Sequence, residues 1–187
     1  MTYQFKIQLK NVTKPPVWRL IQVPEKFTFH DLHQLIQLVF GWEDCHLYMF
    51  NPKGYGSHPV IAIPSGEEWE KPEMNAMKTK LNKVFTAEKQ SYTYIYDFGD
   101  DWIHQILLEK ILPEEIKSPI CLNGKGTCPP EDCGGPWGYQ NLKTILADPK
   151  HEEYEDMKEW MGLEIDEDWD ANYFDLEEVN EMLNDYL

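Results

Sequence analysis

Residues 2–10 alternate apolar and polar side chains, with Tyr3, Phe5, Ile7 and Leu9 on one face, which is the period of a half-buried strand. "NVTKPP" interrupts the pattern, and Val17 to Val23 reads as a second strand ended by Pro24, so the chain is expected to open with a hairpin. The period then changes. Thr28 stands as an N-cap with Asp31 at the third helical position, and Phe27 and Leu32 are placed to form a hydrophobic staple. Leu32, Leu35, Ile36 and Val39 recur at helical spacing as far as Gly41, which predicts a helix lying on the sheet. His46 to Phe50 reads as a strand, Asn51 to Met74 as a long irregular connection, and Ala76 to Phe85 as a short helix. Tyr92, Tyr94, Tyr96 and Phe98 alternate, and beyond "DFGDD" the alternation resumes at Trp102, His104, Ile106 and Leu108. This predicts a second hairpin, with Gly99 free to take positive φ in its turn.

Past Pro113 the texture shifts to Pro, Gly and Cys and then to helical periods. "GYQNLKTILAD" places Tyr139, Leu142, Ile145 and Leu146 on one face. "DPKHEEYEDMKEWMG" offers Asp148 as cap, Pro149 at the first position and Gly162 as stop, and a last helix is capped by Asp175 with Leu176, Val179 and Leu183 inward. The expected fold class is α+β: a β-grasp-like roll, meaning a mixed sheet with one packed helix, over residues 1–120. Within the same single domain, 121–187 form a Cys/Gly/Pro loop and an acidic helical lobe.

Composition narrows the partners. Of 33 acidic residues, 15 fall in 151–187 beside one basic residue, so that segment carries nearly all of the net charge of −16. It reads as a solvated helical face or as a docking surface for a basic partner. The chain has one arginine, Arg19, and its one notable lysine grouping is Lys71, Lys78, Lys80, Lys83 and Lys89, which argues against direct nucleic-acid binding. No run approaches the ~20 apolar residues of a membrane span and the N-terminus lacks a signal-peptide pattern, so a cytoplasmic location is expected.

"CPPEDCGG", residues 128–135, is the densest chemistry in the chain. Cys121, Cys128 and Cys133 could surround a zinc ion with His104 as fourth ligand, or with His46, His151 or Cys45 in its place. Their spacing is wider than a CxxC pair, which speaks against a redox role and leaves buried, inert thiols as the plain alternative. In that case Pro129 and Pro130 stiffen the chain, Gly134 and Gly135 permit a reversal, and Glu131 and Asp132 bond nearby amides. "DFGDDWIH" gathers Asp97, Asp100 and His104; these with Glu131 are the candidate acid/base groups, although alternation places His104 on the core face of its strand. His30 and His33 read as helix-surface or sheet-contact residues. Arg19 is expected to pair with a carboxylate at the sheet edge or to recognise a ligand. Trp18, Arg19, Trp42, His46, Trp102 and Trp137 are the candidate pocket residues.

Taken together, "PPVWRLIQVP", "FHDLHQLIQLVFGWEDCHLYMF", "YIYDFGDDWIHQILLEK", "CPPEDCGGPWGYQNLKTILADPKHEEYEDMKEWMG" and "FDLEEVN" resemble, in order and spacing, the plasmid Ri open-reading-frame-three-like family. Some of its members are described as insertion-element passenger or resolvase-like proteins. The resemblance implies an α+β domain and an association with mobile elements, and it names no reaction. The residues argue against recombinase chemistry, because both the serine and the tyrosine mechanisms need an arginine cluster around the scissile phosphate.

Three functions stay open. One is a non-catalytic cytosolic binding or adaptor domain that receives a protein or small-molecule partner in a cleft between sheet and C-terminal lobe. Another is a metal-assisted hydrolase using a Cys/His-bound zinc. The third is an accessory protein in DNA transposition acting through protein contacts. All three require the tip of the second hairpin and the Cys/Pro segment to meet in space.

Overall fold

The first hairpin forms as its alternation demands. In the computed structural model, which describes residues 1–64, 71–164 and 166–186, strand β1 (Thr2–Leu9) pairs antiparallel with β2 (Trp18–Pro24). Tyr3, Phe5, Ile7 and Leu9 are all buried on the face that meets helix α1 (Phe29–Phe40). That helix starts where the sequence says it must. Thr28 Oγ1 accepts from Asp31 N at 3.1 Å while Thr28 N donates to Asp31 Oδ2 at 2.7 Å, a reciprocal capping box, and Gly41 ends the helix at φ 87°. Replacing Thr28 with Ala removes one half of the box, and we expect a loss of about 1 kcal/mol in a urea titration.

The sheet is completed by β3 (Tyr48–Asn51), β4 (Ile61–Ala62), β5 (Met74–Asn75), β6 (Ser91–Tyr96), β7 (Trp102–Leu112) and β8 (Ile120–Lys125). Among the described residues its order is β5-β4-β3-β6-β7-β1-β2-β8. It is mixed, since β4 and β5 run parallel and every other pairing among the described residues is antiparallel, and α1 packs on its core face. The α+β class follows directly. The central neighbours β1 and β7 run antiparallel, whereas a β-grasp roll joins its two middle strands in parallel, so the likeness stops at the mixed sheet and its helix.

Several local readings need correction. The connection from Asn51 to Met74 contains β4; its residues 65–70 lie outside the described residues. Ala76–Phe85 holds only a 3-10 turn at Leu81–Lys83. In the second hairpin the alternation ends at Tyr96 and Phe98 is exposed; the left-handed residues of the turn are Asp97 (φ 53°) and Asp101 (φ 56°), not Gly99. Short polar aspartates tolerate that region, and the Gly99 amide instead donates to Asp97 Oδ1 at 2.8 Å.

The sheet also extends beyond residue 120, because β8 pairs with β2. Its carboxyl-terminal half packs closely: a side chain at Gly124 would meet the Phe174 ring 2.5 Å away. Three helices follow, α2 (Gly135–Leu146), α3 (Tyr154–Trp160) and α4 (Leu176–Tyr186). Asp148 does not cap α3; its Oδ1 takes the Lys150 amide at 3.0 Å in a local turn, and the helix starts six residues later. Asp175 does cap α4, accepting from the amides of Glu177 and Glu178 at 2.8 and 3.1 Å. Asn180 of α4 lies on the outer edge of β8, where its side chain accepts from Cys121 N and donates to Cys121 O, each at 2.9 Å. Among the described residues no helix is long and apolar enough to cross a membrane.

Candidate functional site

Three loops converge at one end of the sheet: residues 42–47 after α1, the turn 97–101 between β6 and β7, and 128–135 before α2. Trp42 Nε1 donates to Pro129 O at 3.0 Å, Glu43 N to Glu131 Oε1 at 3.0 Å, Tyr96 Oη to the same Glu131 Oε1 at 2.9 Å, and Gly134 N to Asp100 Oδ2 at 3.0 Å. The hairpin tip and the Cys/Pro segment therefore do meet. Contact there is backbone against backbone, since a Cβ on Gly135 would stand 2.5 Å from Asp100 O, and both Gly134 and Gly135 take left-handed φ as the reversal requires.

His46 stands at the centre. Its Nε2 lies 3.3 Å from Asp132 Oδ1 and 3.8 Å from both Asp97 Oδ2 and Glu131 Oε2. Nε2 and Glu131 Oε2 are enclosed by protein, and neither has a hydrogen-bond partner among the described residues. Cys45 adjoins the group, its amide bonded to Tyr96 Oη at 3.1 Å. The donor atoms of Cys45, His46 and Glu131 lie within 4.8 Å of one another, as do those of His46, Asp97 and Asp132.

The expected thiol site assembles differently. Among the described residues Cys121, Cys128 and Cys133 form no donor group with one another or with His104. Cys121 is held in β8, with its thiol turned to Asn123 O at 3.6 Å. Burial pushes the Cys121 thiol up to about 11, Cys133 up to about 12 and Cys128 well above its ordinary value, so these thiols stay protonated at neutral pH and are poor nucleophiles.

His104 is a core residue. It sits edge-on to Phe40 and Trp42 with ring centroids 5.1 Å away in both cases, and burial pushes it down to about 3. Among the described residues neither ring nitrogen has a hydrogen-bond partner of good geometry, and the nearby backbone of Trp102 and Tyr94 acts against the burial. His33 is fully buried and more than a sheet contact: Nδ1 bonds Tyr94 Oη and Nε2 bonds Asp44 Oδ1, each at 2.8 Å, while burial lowers it to about 4.

Among the described residues Arg19 pairs with no carboxylate. Its guanidinium is buried and donates to the carbonyls of Val39, Trp18, Lys125 and Gly126 at 2.7–3.1 Å, between the rings of Phe40 and Phe174. It ties β2 to β8 and to the end of α1. Trp42 and Trp102 are likewise core, and Trp18 is half-buried under Lys6, whose Nζ lies 4.8 Å from the ring centroid. Of the four tryptophans expected at a cleft, Trp137 alone is there, and it is 88% exposed.

The cleft itself exists between sheet and lobe. It measures about 800 Å³ and is bounded by the β1–β2 turn through Asn11 and Thr13, the hairpin tip through Asp100 and Asp101, and the start of α2 through Trp137 and Gln140. Sequence reasoning offered Cys45 and His46 only as alternative ligands to the other thiols and read Asp132 as bonding nearby amides, so it missed that Cys45 and Asp132 both group with His46. It also missed Asn11, Thr13 and Gln140, polar loop and helix residues that carry no chemical signature of their own.

The comparisons agree with this architecture. The chain is 35% identical over 184 residues to the uncharacterized protein y4hQ of Sinorhizobium fredii (strain NBRC 101917 / NGR234), an alignment that covers 97% of this chain and 90% of that protein. It is also similar to the crystal structure of MM3350 from Methanosarcina mazei Go1, a protein of unknown function, at 42% identity and a TM-score of 0.81, covering 94% of this chain and 96% of that one. The family model described as plasmid pRiA4b ORF-3-like protein matches residues 1–178, nearly every element of the sheet and lobe described above, and the chain belongs to that family.

Proposed function

We propose that the protein is a non-catalytic cytosolic binding domain whose cleft between hairpin tip and lobe receives a basic segment of a partner polypeptide. The observation that carries this reading is the makeup of the cleft: an exposed indole, Trp137, faces Asp100 and Asp101 across about 800 Å³, and no basic side chain lines it. A flat aromatic face beside carboxylates attracts lysine and arginine side chains through both charge and the ring quadrupole. The chain's net charge of −16 favours encounter with such a segment. Burial holds the Cys121 and Cys133 thiols protonated and encloses His33 and His104, which fits a packing role for these four. An accessory role in transposition through protein contacts is a special case of the same reading.

Short labelled peptides of equal length that differ only in charge test it by fluorescence anisotropy. Cationic peptides are expected to bind, with affinity falling as salt is added, and Trp137→Ala to weaken them by roughly tenfold or more. Because Trp137 is exposed, the variant should unfold at the parent's urea midpoint. Equal binding of cationic and acidic peptides, or unchanged binding by Trp137→Ala, sinks the reading.

A further inference from the structure

We propose that His46, Asp97 and Asp132 hold one divalent transition-metal ion, with Glu131 on the other side of His46 at the margin of the site. This does not rest on the peptide reading, since none of these residues lines the cleft. The geometry begins with the distances around Nε2, 3.3, 3.8 and 3.8 Å to three carboxylate oxygens from three different aspartate and glutamate residues. Two of these are beyond hydrogen-bond length, and the contact at 3.3 Å makes no hydrogen bond. They are close to the separation of ligands from one another: donors about 2.0–2.2 Å from a tetrahedral ion stand about 3.3–3.6 Å apart.

The second observation is independent of spacing. His46 Nε2 and Glu131 Oε2 are enclosed and without partners, and a buried polar atom left unpaired is costly unless something outside the protein satisfies it. A cation among these carboxylate oxygens satisfies the nitrogen and the oxygens at once, which a single N–H or a water does not.

The surroundings are built to aim these atoms. Asp97 Oδ1 is occupied by the Gly99 amide, which leaves Oδ2 turned to His46. Glu131 Oε1 is occupied twice, by Tyr96 Oη and the Glu43 amide, which leaves Oε2 turned the same way. Spare carboxylate oxygens fixed by hydrogen bonds are the usual support for metal ligands. Asp132, whose side chain is 74% exposed, forms the outer wall and the route of entry. An imidazole among oxygens, with the Cys45 thiol adjoining, selects zinc and its neighbours over calcium or magnesium, which prefer oxygen alone.

Titrating untagged, chelator-treated protein with zinc in a calorimeter is expected to give about one site per chain. His46→Ala should weaken it on the order of a hundredfold, and Asp132→Asn, which alters an exposed side chain and leaves the fold intact, by roughly tenfold. Cobalt should give a visible ligand-field band that His46→Ala abolishes, while calcium and magnesium give no heat. His58→Ala, at the exposed His58–Glu73 pair, should bind zinc as the parent does. Zinc affinity unchanged in both His46→Ala and Asp132→Asn, or lost in His58→Ala instead, overturns the assignment. So does an absence of zinc binding.

Discussion

Acidifying the protein from pH 7 to pH 4 is expected to lower its urea midpoint steeply, and His104→Leu is expected to remove a large part of that slope. His104 is pushed down to about 3 and His33 to about 4, both from an ordinary value of 6.5 and both chiefly by burial. The sign follows from where protons bind. Between the folded and unfolded values the unfolded chain takes up a proton that the folded one refuses, so the stability is complete above about pH 6.5 and drains away as pH falls toward 4 and 3. For His104 alone the loss at pH 5 is about 2 kcal/mol. Leucine at this position removes two ring nitrogens that have no well-aligned partner among the described residues and keeps the contacts with Phe40 and Trp42 apolar. The variant should therefore be at least as stable as the parent at pH 7 and about 2 kcal/mol more stable at pH 5. Parallel pH profiles for parent and variant would show that His104 is not held neutral.

The second large effect is expected from Gly138→Ala. Gly138 lies in the first turn of α2, where a Cβ would stand 1.8 Å from the Cys133 carbonyl oxygen, and its amide donates to Gly134 O at 3.1 Å. No rotamer relieves a clash between Cβ and backbone, so either the helix or the 128–135 loop must move. We expect a loss of about 3 kcal/mol or more by chemical denaturation. Gly162→Ala is the reference: its φ is 68°, nothing lies within 4 Å, and it should cost only about 1 kcal/mol. Because the displaced loop carries Glu131 and Asp132, Gly138→Ala should also weaken zinc far more than Gly162→Ala does. Equal stability of the two alanine variants would mean that helix and loop are not in this contact.

How far the sequence reaches is visible in particular elements. Both hairpins and α1 were legible because their signals are local: a period of two, a capping box, a glycine stop. The strand β8 was not, since "ICLNGK" has weak alternation and a glycine whose purpose, letting the Phe174 ring and the Arg19 side chain approach, lies in distant parts of the chain. The meeting of hairpin tip and Cys/Pro loop was anticipated, and His46, Asp97 and Glu131 were nominated separately, but their grouping with Asp132 was not. The cysteines drew attention by their chemistry, yet which side chains face one another depends on loop conformation. Here left-handed Asp44, Asp97 and Asp132 turn the backbone around His46, and no pattern of residue types announces that. Arg19 misled for a similar reason, because carbonyl partners from four residues have no side-chain signature.

The asparagine on the last helix has a consequence for association. Asn180 imitates a neighbouring strand, offering one acceptor and one donor to Cys121 at the sheet's margin. A chain shortened before Asp175 would leave that margin open to a strand from another molecule, so such a truncation is expected to oligomerise edge to edge even where the remaining core stays folded.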